Sequence, residues 1–150
     1  MILLRVLVQR VSESFVEVDS KIVGKIGKGM LLFVSFSSDD FGMEEKISWM
    51  AEKILKLRIF SDKEGKMNLS IMDILGEILV ISQFTLYGNV KGQNRPSFVE
   101  ALNPEIANEY YDRFVFALKK SGLKVESGIF GAKMKVFIEN DGPVTLILEK

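Results

Sequence analysis

The stretch MLLFVSFSSDDFGMEEKISWMAEKI, residues 30–54, decides the fold class because its hydrophobic period changes in the middle. Its first part, residues 30–36, is an apolar run of the kind found in strands that are covered on both faces. The polar residues 37–40 follow and supply candidates for a helix N-cap. The second part carries apolar residues at helical spacing, at Met43, Ile47, Met50, Ala51 and Ile54. The stretch therefore predicts a buried strand followed by an amphipathic helix.

Outward from this stretch, short apolar or β-branched segments alternate with one further helical segment. The predicted strands are residues 2–8, 15–18, 22–26, 57–60, 77–86, 124–127, 134–139 and 144–148. Turns are expected at Asp19 and Ser20 and at residues 62–65, and a loop at residues 88–96. A second helix is predicted from Asn103, as N-cap, to Gly122. We therefore expect a single α/β domain over residues 1–150, with two main helices over a mostly antiparallel sheet.

Cysteine and histidine are both absent from the 150 residues, and this absence narrows the possible chemistry. Disulfides, thiol nucleophiles, the usual zinc sites and triads with an imidazole base are excluded. An enzyme of this composition has to use hydroxyls, carboxylates, amines, backbone groups or the substrate itself near neutral pH. We expect no bound metal and no cofactor.

Charge and hydropathy indicate which partners the protein has. Its 20 basic and 20 acidic residues cancel, so any contact with RNA has to be a local patch. Candidate patches are Lys21, Lys25 and Lys28, then Lys119, Lys120 and Lys124, and finally Lys133 and Lys135, although solvated faces are the commoner role of such clusters. The chain has no apolar run long enough to span a membrane and no signal peptide. We expect a soluble, cytoplasmic protein that contacts neither membrane nor DNA.

The segment SQFTL at residues 82–86 ends a predicted buried strand with polar side chains. A period of two would place Ser82 and Phe84 on one face of that strand and Gln83 and Thr85 on the other. A site here would therefore need backbone amides as well as side chains. The alternative, which spacing alone favours, is a strand that leaves the core with polar residues satisfying the neighbouring backbone.

Two further segments are candidates on weaker grounds. NDGPVT at residues 140–145 is dense in turn formers, and its Gly142-Pro143 bond can adopt the cis isomer at small cost, but an ordinary hairpin turn is the simpler interpretation. In RPSF at residues 95–98, the arginine could bind phosphate or merely solvate a surface.

Taken in order, six segments resemble one family, the D-aminoacyl-tRNA deacylases of the D-tyrosyl-tRNA deacylase type. They are QRV at 9–11, LRIF at 57–60, GKMN at 65–68, SQFTL at 82–86, RPSF at 95–98 and NDGPVT at 140–145. The resemblance implies a three-layer β/β/α domain and a homodimer with its active sites at the interface. It also implies hydrolysis of the ester that joins a D-amino acid, or glycine mischarged on tRNA, to the 3′ end of tRNA, with rejection of L-amino acids.

The resemblance also assigns roles to residues. The backbone of Ser82, Gln83, Phe84 and Thr85 is implied to stabilise the developing oxyanion, with assistance from the terminal ribose hydroxyl of the tRNA. Thr85 as a nucleophile is the competing mechanism. Gly142 and Pro143 are implied to be joined by a cis bond and to enter the partner's pocket, where their carbonyls capture the substrate amine.

Three other positions carry over as substrate-binding residues. Arg10 is implied to support the Gly142-Pro143 turn, Phe98 to lie beside the adenine pocket, and Met134 to lie near the pocket mouth. The sequence departs from the family pattern at Lys133, where an acidic residue is common, and in the loop at residues 91–95. The alternative function is a noncatalytic RNA-binding or dimerising domain of the same fold.

Overall fold

The structure, a computed structural model, describes residues 3–150 and has a mixed α/β fold built on one main sheet. The main sheet has six strands, namely β1 (Leu4–Val18), β2 (Lys21–Ile26), β3 (Gly29–Phe36), β6 (Glu77–Ser82), β7 (Val125–Ser127) and β8 (Lys135–Glu149). A small second sheet pairs β4 (Phe60–Ser61) with β5 (Met67–Leu69). The helices are α1 (Met43–Lys56), the short α2 (Ile71–Ile74) and α3 (Pro104–Lys119). The predicted α/β class and both main helices are confirmed.

The main sheet is mixed, whereas the sequence predicts a mostly antiparallel one. Strand β1 pairs antiparallel with β2, β3 and β8, but β3 pairs parallel with β6, and β6 with β7. The parallel pairs arise because helical connections through α1 and α3 return the chain in the same direction. Both β3 and β6 therefore end at the same side of the sheet.

Two hydrophobic clusters lie on opposite faces of β3, which explains its apolar run. Leu32 belongs to a cluster with Met50 of α1 and Phe114 of α3. Its neighbour Leu31 belongs to a second cluster, which consists of residues from the strands. Successive residues of β3 are thus buried on both faces, as the run of residues 30–36 predicts.

Several predicted boundaries are wrong in detail. Residues 2–8 and 15–18 are predicted as two strands, but Leu4–Val18 is continuous, and Ile2 lies outside the described residues. A tight turn with positive φ at Asp19 and Ser20 joins β1 to β2, as expected. Helix α1 has Gly42 as N-cap with no side-chain cap, so the N-cap predicted within residues 37–40 is wrong. Asn103 does cap α3, its side chain accepting a hydrogen bond from the Glu105 amide at 2.9 Å.

Two further differences affect the site. The strand predicted at 77–86 ends at Ser82, and a 3₁₀ helix, Phe84–Tyr87, follows it. The strands predicted at 134–139 and 144–148 are one strand, β8, which runs beside β1 with an irregular register instead of folding into a hairpin. Strand β5 and helix α2 lie in a region where the sequence predicts no regular structure beyond residue 60.

None of the helices described within residues 3–150 has the length and hydropathy of a membrane-spanning helix.

Candidate functional site

A cavity of about 540 Å³ opens where the parallel strands β3 and β6 end. Its walls come from both strand ends, the 3₁₀ helix, the segment around Phe98, the start of α3 and the approach to β8. Of the predicted site residues, it brings together Ser82, Gln83, Phe84, Phe98 and Met134. Thr85, Arg10, Gly142 and Pro143 do not line it. Ligands commonly bind beyond the carboxyl ends of strands in open α/β sheets, and this cavity has that position.

The 3₁₀ helix presents backbone donors beside the cavity. The Gln83 amide donates to the Val34 carbonyl at 2.8 Å, and the Leu86 amide donates to the Gln83 carbonyl at 3.2 Å. Between them, the amides of Phe84 and Thr85 have no protein acceptor within residues 3–150. These are the donors that the first turn of a helix leaves free. Phe84 lines the cavity, so the two free amides belong to a segment of its wall.

Within residues 3–150, the Thr85 hydroxyl has no hydrogen bond to a basic group. Its Oγ1 accepts a hydrogen bond from the Gln83 side-chain amide, and the residue is exposed. An amide N–H cannot take up a proton from the hydroxyl, and no carboxylate in the described part of the chain is hydrogen-bonded to Thr85. Thr85 thus lacks the activation that a nucleophilic hydroxyl needs.

Aromatic rings form one wall of the cavity. The rings of Phe84 and Phe98 meet edge to face with their centroids 5.1 Å apart. Phe98 remains 37% exposed, so part of its ring surface is available to a flat ligand group. Met134 also lines the cavity and lies close to Gly128, where an added Cβ would lie 2.6 Å from the Met134 sulfur.

The NDGPVT segment contains a bulge in β8, which lies opposite Arg10. Gln9 pairs with Thr145, and Val11 pairs with Asn140. Residues 141–144 therefore lie opposite the single residue Arg10. The Gly142-Pro143 bond is cis, as the resemblance implies. The hairpin interpretation of this segment is wrong because both its flanks pair with β1 instead of with each other.

Hydrogen bonds of Arg10, on β1, and of Asn140, on β8, hold this bulge in place. Arg10 is 9% exposed, and its Nε donates to the Asp141 carbonyl at 3.2 Å while Nη1 donates to the Ile59 carbonyl at 2.7 Å. The Asp141 carboxylate lies 3.2 Å from the same Nε. Asn140 Nδ2 donates to the carbonyls of Arg10 and Val144 at 2.9 and 3.0 Å. The contact that the resemblance implies between Arg10 and the Gly142-Pro143 turn is thus made through Asp141.

Arg5 and Ser35 support the site, and sequence reasoning does not identify them. Arg5 Nη1 donates to the Leu86 carbonyl of the 3₁₀ helix at 2.7 Å, and its guanidinium lies 4.6 Å from the centre of the Tyr87 ring. Ser35, which lines the cavity, has its hydroxyl 3.5 Å from the Phe84 carbonyl. The one signal for Arg5 in the sequence is a charged residue inside the first apolar stretch.

The titratable groups of residues 3–150 include no set of three acidic side chains placed to hold a metal ion. Near the site, burial raises the pKa of Tyr87, whose ring lies under Arg5.

Comparisons with known proteins agree on the family. A family model described as D-Tyr-tRNA(Tyr) deacylase matches residues 7–149. The chain is 56% identical to a D-aminoacyl-tRNA deacylase of Aquifex aeolicus and 53% identical to one of Thermotoga petrophila, each over 146 residues and 97% of both chains.

Two solved structures are similar in fold. One is titled c-Myc DNA Unwinding Element Binding Protein, with a TM-score of 0.89 and 39% identity over 97% of this chain and 98% of that one. The other, titled as a probable eukaryotic D-amino acid tRNA deacylase, has a TM-score of 0.86 over 100% of both chains and, at 22% identity, supports the fold alone. From the family model and the close relatives, the chain belongs to the D-Tyr-tRNA(Tyr) deacylase family.

Proposed function

We propose that this protein hydrolyses the ester bond of D-aminoacyl-tRNA and releases the free D-amino acid and tRNA. The observation that carries the proposal is the pair of free amides, at Phe84 and Thr85, beside a cavity in a chain of this family. An ester carbonyl that enters the cavity can place its oxygen against both donors. Water attack then produces an oxyanion that these preorganised dipoles stabilise.

The remaining chemistry comes from the substrate and from residues 82–85. The sequence has no histidine or cysteine, and among residues 3–150 no base is hydrogen-bonded to Thr85, so we assign Thr85 a binding role rather than a nucleophilic one. The hydroxyl next to the ester on the terminal ribose is the group we propose to assist the attacking water. Ser82 and Gln83 position the segment and line the cavity.

The 3′ adenosine and the amino acid occupy different parts of the cavity in this proposal. Phe98 offers a partly exposed aromatic ring for the adenine, packed against Phe84. Met134 borders the entrance, where its flexible side chain can adjust to the substrate. Both assignments agree with what the resemblance implies for these positions.

We propose that discrimination between D- and L-amino acids is made by the partner subunit of a homodimer. Gly142 and Pro143 are exposed and do not line the cavity of their own chain, so they are free to enter a partner's cavity. There they would meet the substrate amine and occupy the space of an L side chain. Glycine, which has no side chain, would pass the same filter.

Exposed apolar residues on β8 support the homodimer. Ile138, Leu146 and Ile147 are 40%, 37% and 62% exposed.

We also propose that the domain has a three-layer β/β/α arrangement, which the two clusters on opposite faces of β3 support. We propose one deacylase domain over residues 1–150, which the pairing of β1 with β8 supports. We place the reaction in the cytoplasm, where aminoacylated tRNA is used, with tRNA and not DNA as the nucleic-acid partner.

One assay tests the activity. The purified protein is incubated with D-tyrosyl-tRNA and, separately, with L-tyrosyl-tRNA, and ester loss is followed with time. We expect rapid loss of the D-ester and persistence of the L-ester. The alternative, a noncatalytic RNA-binding or dimerising domain, predicts that both esters decay at the rate without protein or more slowly.

A matched pair of variants tests the assignment of the amides. Thr85→Ala removes the hydroxyl and keeps the amide, whereas Thr85→Pro removes the amide N–H, which has no acceptor within residues 3–150. We expect Thr85→Ala to retain most activity and Thr85→Pro to lose about 100- to 1,000-fold in kcat. Thermal unfolding of both variants controls for folding. The reverse ranking in two folded variants would support Thr85 as the nucleophile.

A further inference from the structure

Two segments at the cavity entrance carry positive charge and no negative charge. Residues 78–99 contain no Asp or Glu, and neither do residues 127–138, although the whole chain has 20 acidic residues. Each segment supplies cavity-lining residues, among them Phe98 from the first and Met134 from the second. These two segments of the cavity wall therefore carry cations without carboxylates, whereas Glu100 and Glu105 flank a third lining segment, residues 101–104.

Lys91 and Arg95 lie on a loop that projects from the cavity wall. An antiparallel bridge between Asn89 and Ser97, with N···O distances of 2.8 and 2.9 Å, closes the loop. Lys91 and Arg95 each lie two residues from the bridge, so their Cα atoms are at most about 7 Å from those of the bridge residues. At the base of the loop, the aromatic ring of Phe98 lies next to Gly88. Both cations are exposed, and neither forms an ion pair within residues 3–150.

Lys133 is the corresponding cation on the second segment. It lies between Ala132 and Met134, which both line the cavity, and it is exposed. No carboxylate within the described part of the chain lies within ion-pair distance of it. Lys135 is different because its strand partner is Glu17. We call Lys91, Arg95 and Lys133 together the basic rim.

The chemistry of the substrate decides what the basic rim faces. The amino acid of an aminoacyl ester carries an ammonium group, which these cations would repel, whereas every nucleotide of tRNA carries a phosphate. Building on the proposed function, we propose that the basic rim binds phosphates of the 3′ strand of tRNA while the terminal nucleotide enters the cavity. The rim thus supplies affinity for the nucleic acid, and the cavity supplies the reaction.

The test compares substrates with and without phosphates. Single variants Lys91→Gln, Arg95→Gln and Lys133→Gln, and the triple variant, are assayed on D-tyrosyl-tRNA and on 3′-O-D-tyrosyl-adenosine, which has no phosphate. Lys63→Gln is the matched control, because Lys63 is exposed and unpaired within residues 3–150 but lies in the turn between β4 and β5. Binding of uncharged tRNA is measured in parallel over a range of salt concentrations.

We expect each rim substitution to raise KM for the tRNA substrate roughly threefold, with kcat unchanged, and to lower the salt slope of tRNA binding by about one. The nucleoside ester should be cleaved at the wild-type rate by every variant, and Lys63→Gln should match wild type throughout.

Three results would overturn the basic rim. They are equal losses on both substrates, a triple variant with the wild-type salt slope, or a DNA duplex that binds more tightly than tRNA at the same salt. If wild type cleaves neither ester, the proposed function fails, and the salt slope with uncharged tRNA still decides the rim.

Discussion

Gly142 combines a positive φ with close neighbours on the side where a Cβ would lie. Its φ of +118° is rarely adopted by L-residues, and an added Cβ would lie 2.8 Å from Arg10 Nη2 and 2.9 Å from Val144 Cγ2. We expect Gly142→Ala to destabilise the protein by about 1–3 kcal/mol, measured by urea unfolding, and to abolish deacylation.

Gly65 provides the matched control for this substitution. It also has a positive φ, +80°, but an added Cβ there would have no atom within 4 Å. Gly65→Ala should therefore show the cost of backbone strain alone and keep full activity. Equal losses of stability in the two variants would mean that the contacts of Gly142 with Arg10 and Val144 are unimportant.

Among elements, the 3₁₀ helix Phe84–Tyr87 depends on Arg5 for its position. Arg5 binds the Leu86 carbonyl at 2.7 Å and also pairs with Glu149 at 2.8 Å. We expect Arg5→Met to lower kcat roughly ten- to a hundredfold, with a smaller change in KM, because the amides of Phe84 and Thr85 lose alignment. Glu149→Gln keeps the Leu86 contact and should retain kcat. Similar losses in both variants would assign the effect to the ion pair instead.

The elements also show what sequence can predict. β3, α1 and α3 follow from local periodicity, since a buried run or a helical stripe is visible within a single window. The 3₁₀ helix and the bulge in β8 do not, because they depend on partners distant in sequence. Val34 accepts the hydrogen bond from Gln83, and residues 141–144 of the bulge lie opposite Arg10 of β1. The segments SQFTL and NDGPVT are recognisable as family motifs, but their backbone shapes come from these long-range contacts.

At the scale of the whole molecule, alkaline stability depends on buried tyrosines. Burial raises the pKa of Tyr111 to about 12, and its hydroxyl donates to the Val80 carbonyl at 2.7 Å. Because this pKa is above 10, the ordinary value of a tyrosine, the contribution of Tyr111 to stability is complete below pH 10 and is lost between pH 10 and 12. Tyr111→Phe should therefore show a shallower fall in unfolding free energy over that range. A hydrogen bond to Asp39 raises the pKa of Tyr110 to about 12 as well, so part of the slope should remain. An unchanged slope would contradict the assignment.

The proposed homodimer makes a prediction that no single chain can satisfy. If Gly142 acts in the partner's cavity, Gly142→Ala inactivates the filter, Gly142 and Pro143, that a subunit inserts into its partner. Thr85→Pro instead inactivates the subunit's own cavity. In a heterodimer of the two variants, the cavity of the Gly142→Ala subunit receives an intact filter from the Thr85→Pro subunit. Refolding the two inactive variants together should restore about a quarter of wild-type activity, since half of the dimers are mixed and each has one complete site. Each variant refolded alone is the control, and its folding is checked by circular dichroism. No recovery from two folded variants that exchange subunits would contradict the action of Gly142 in the partner's cavity.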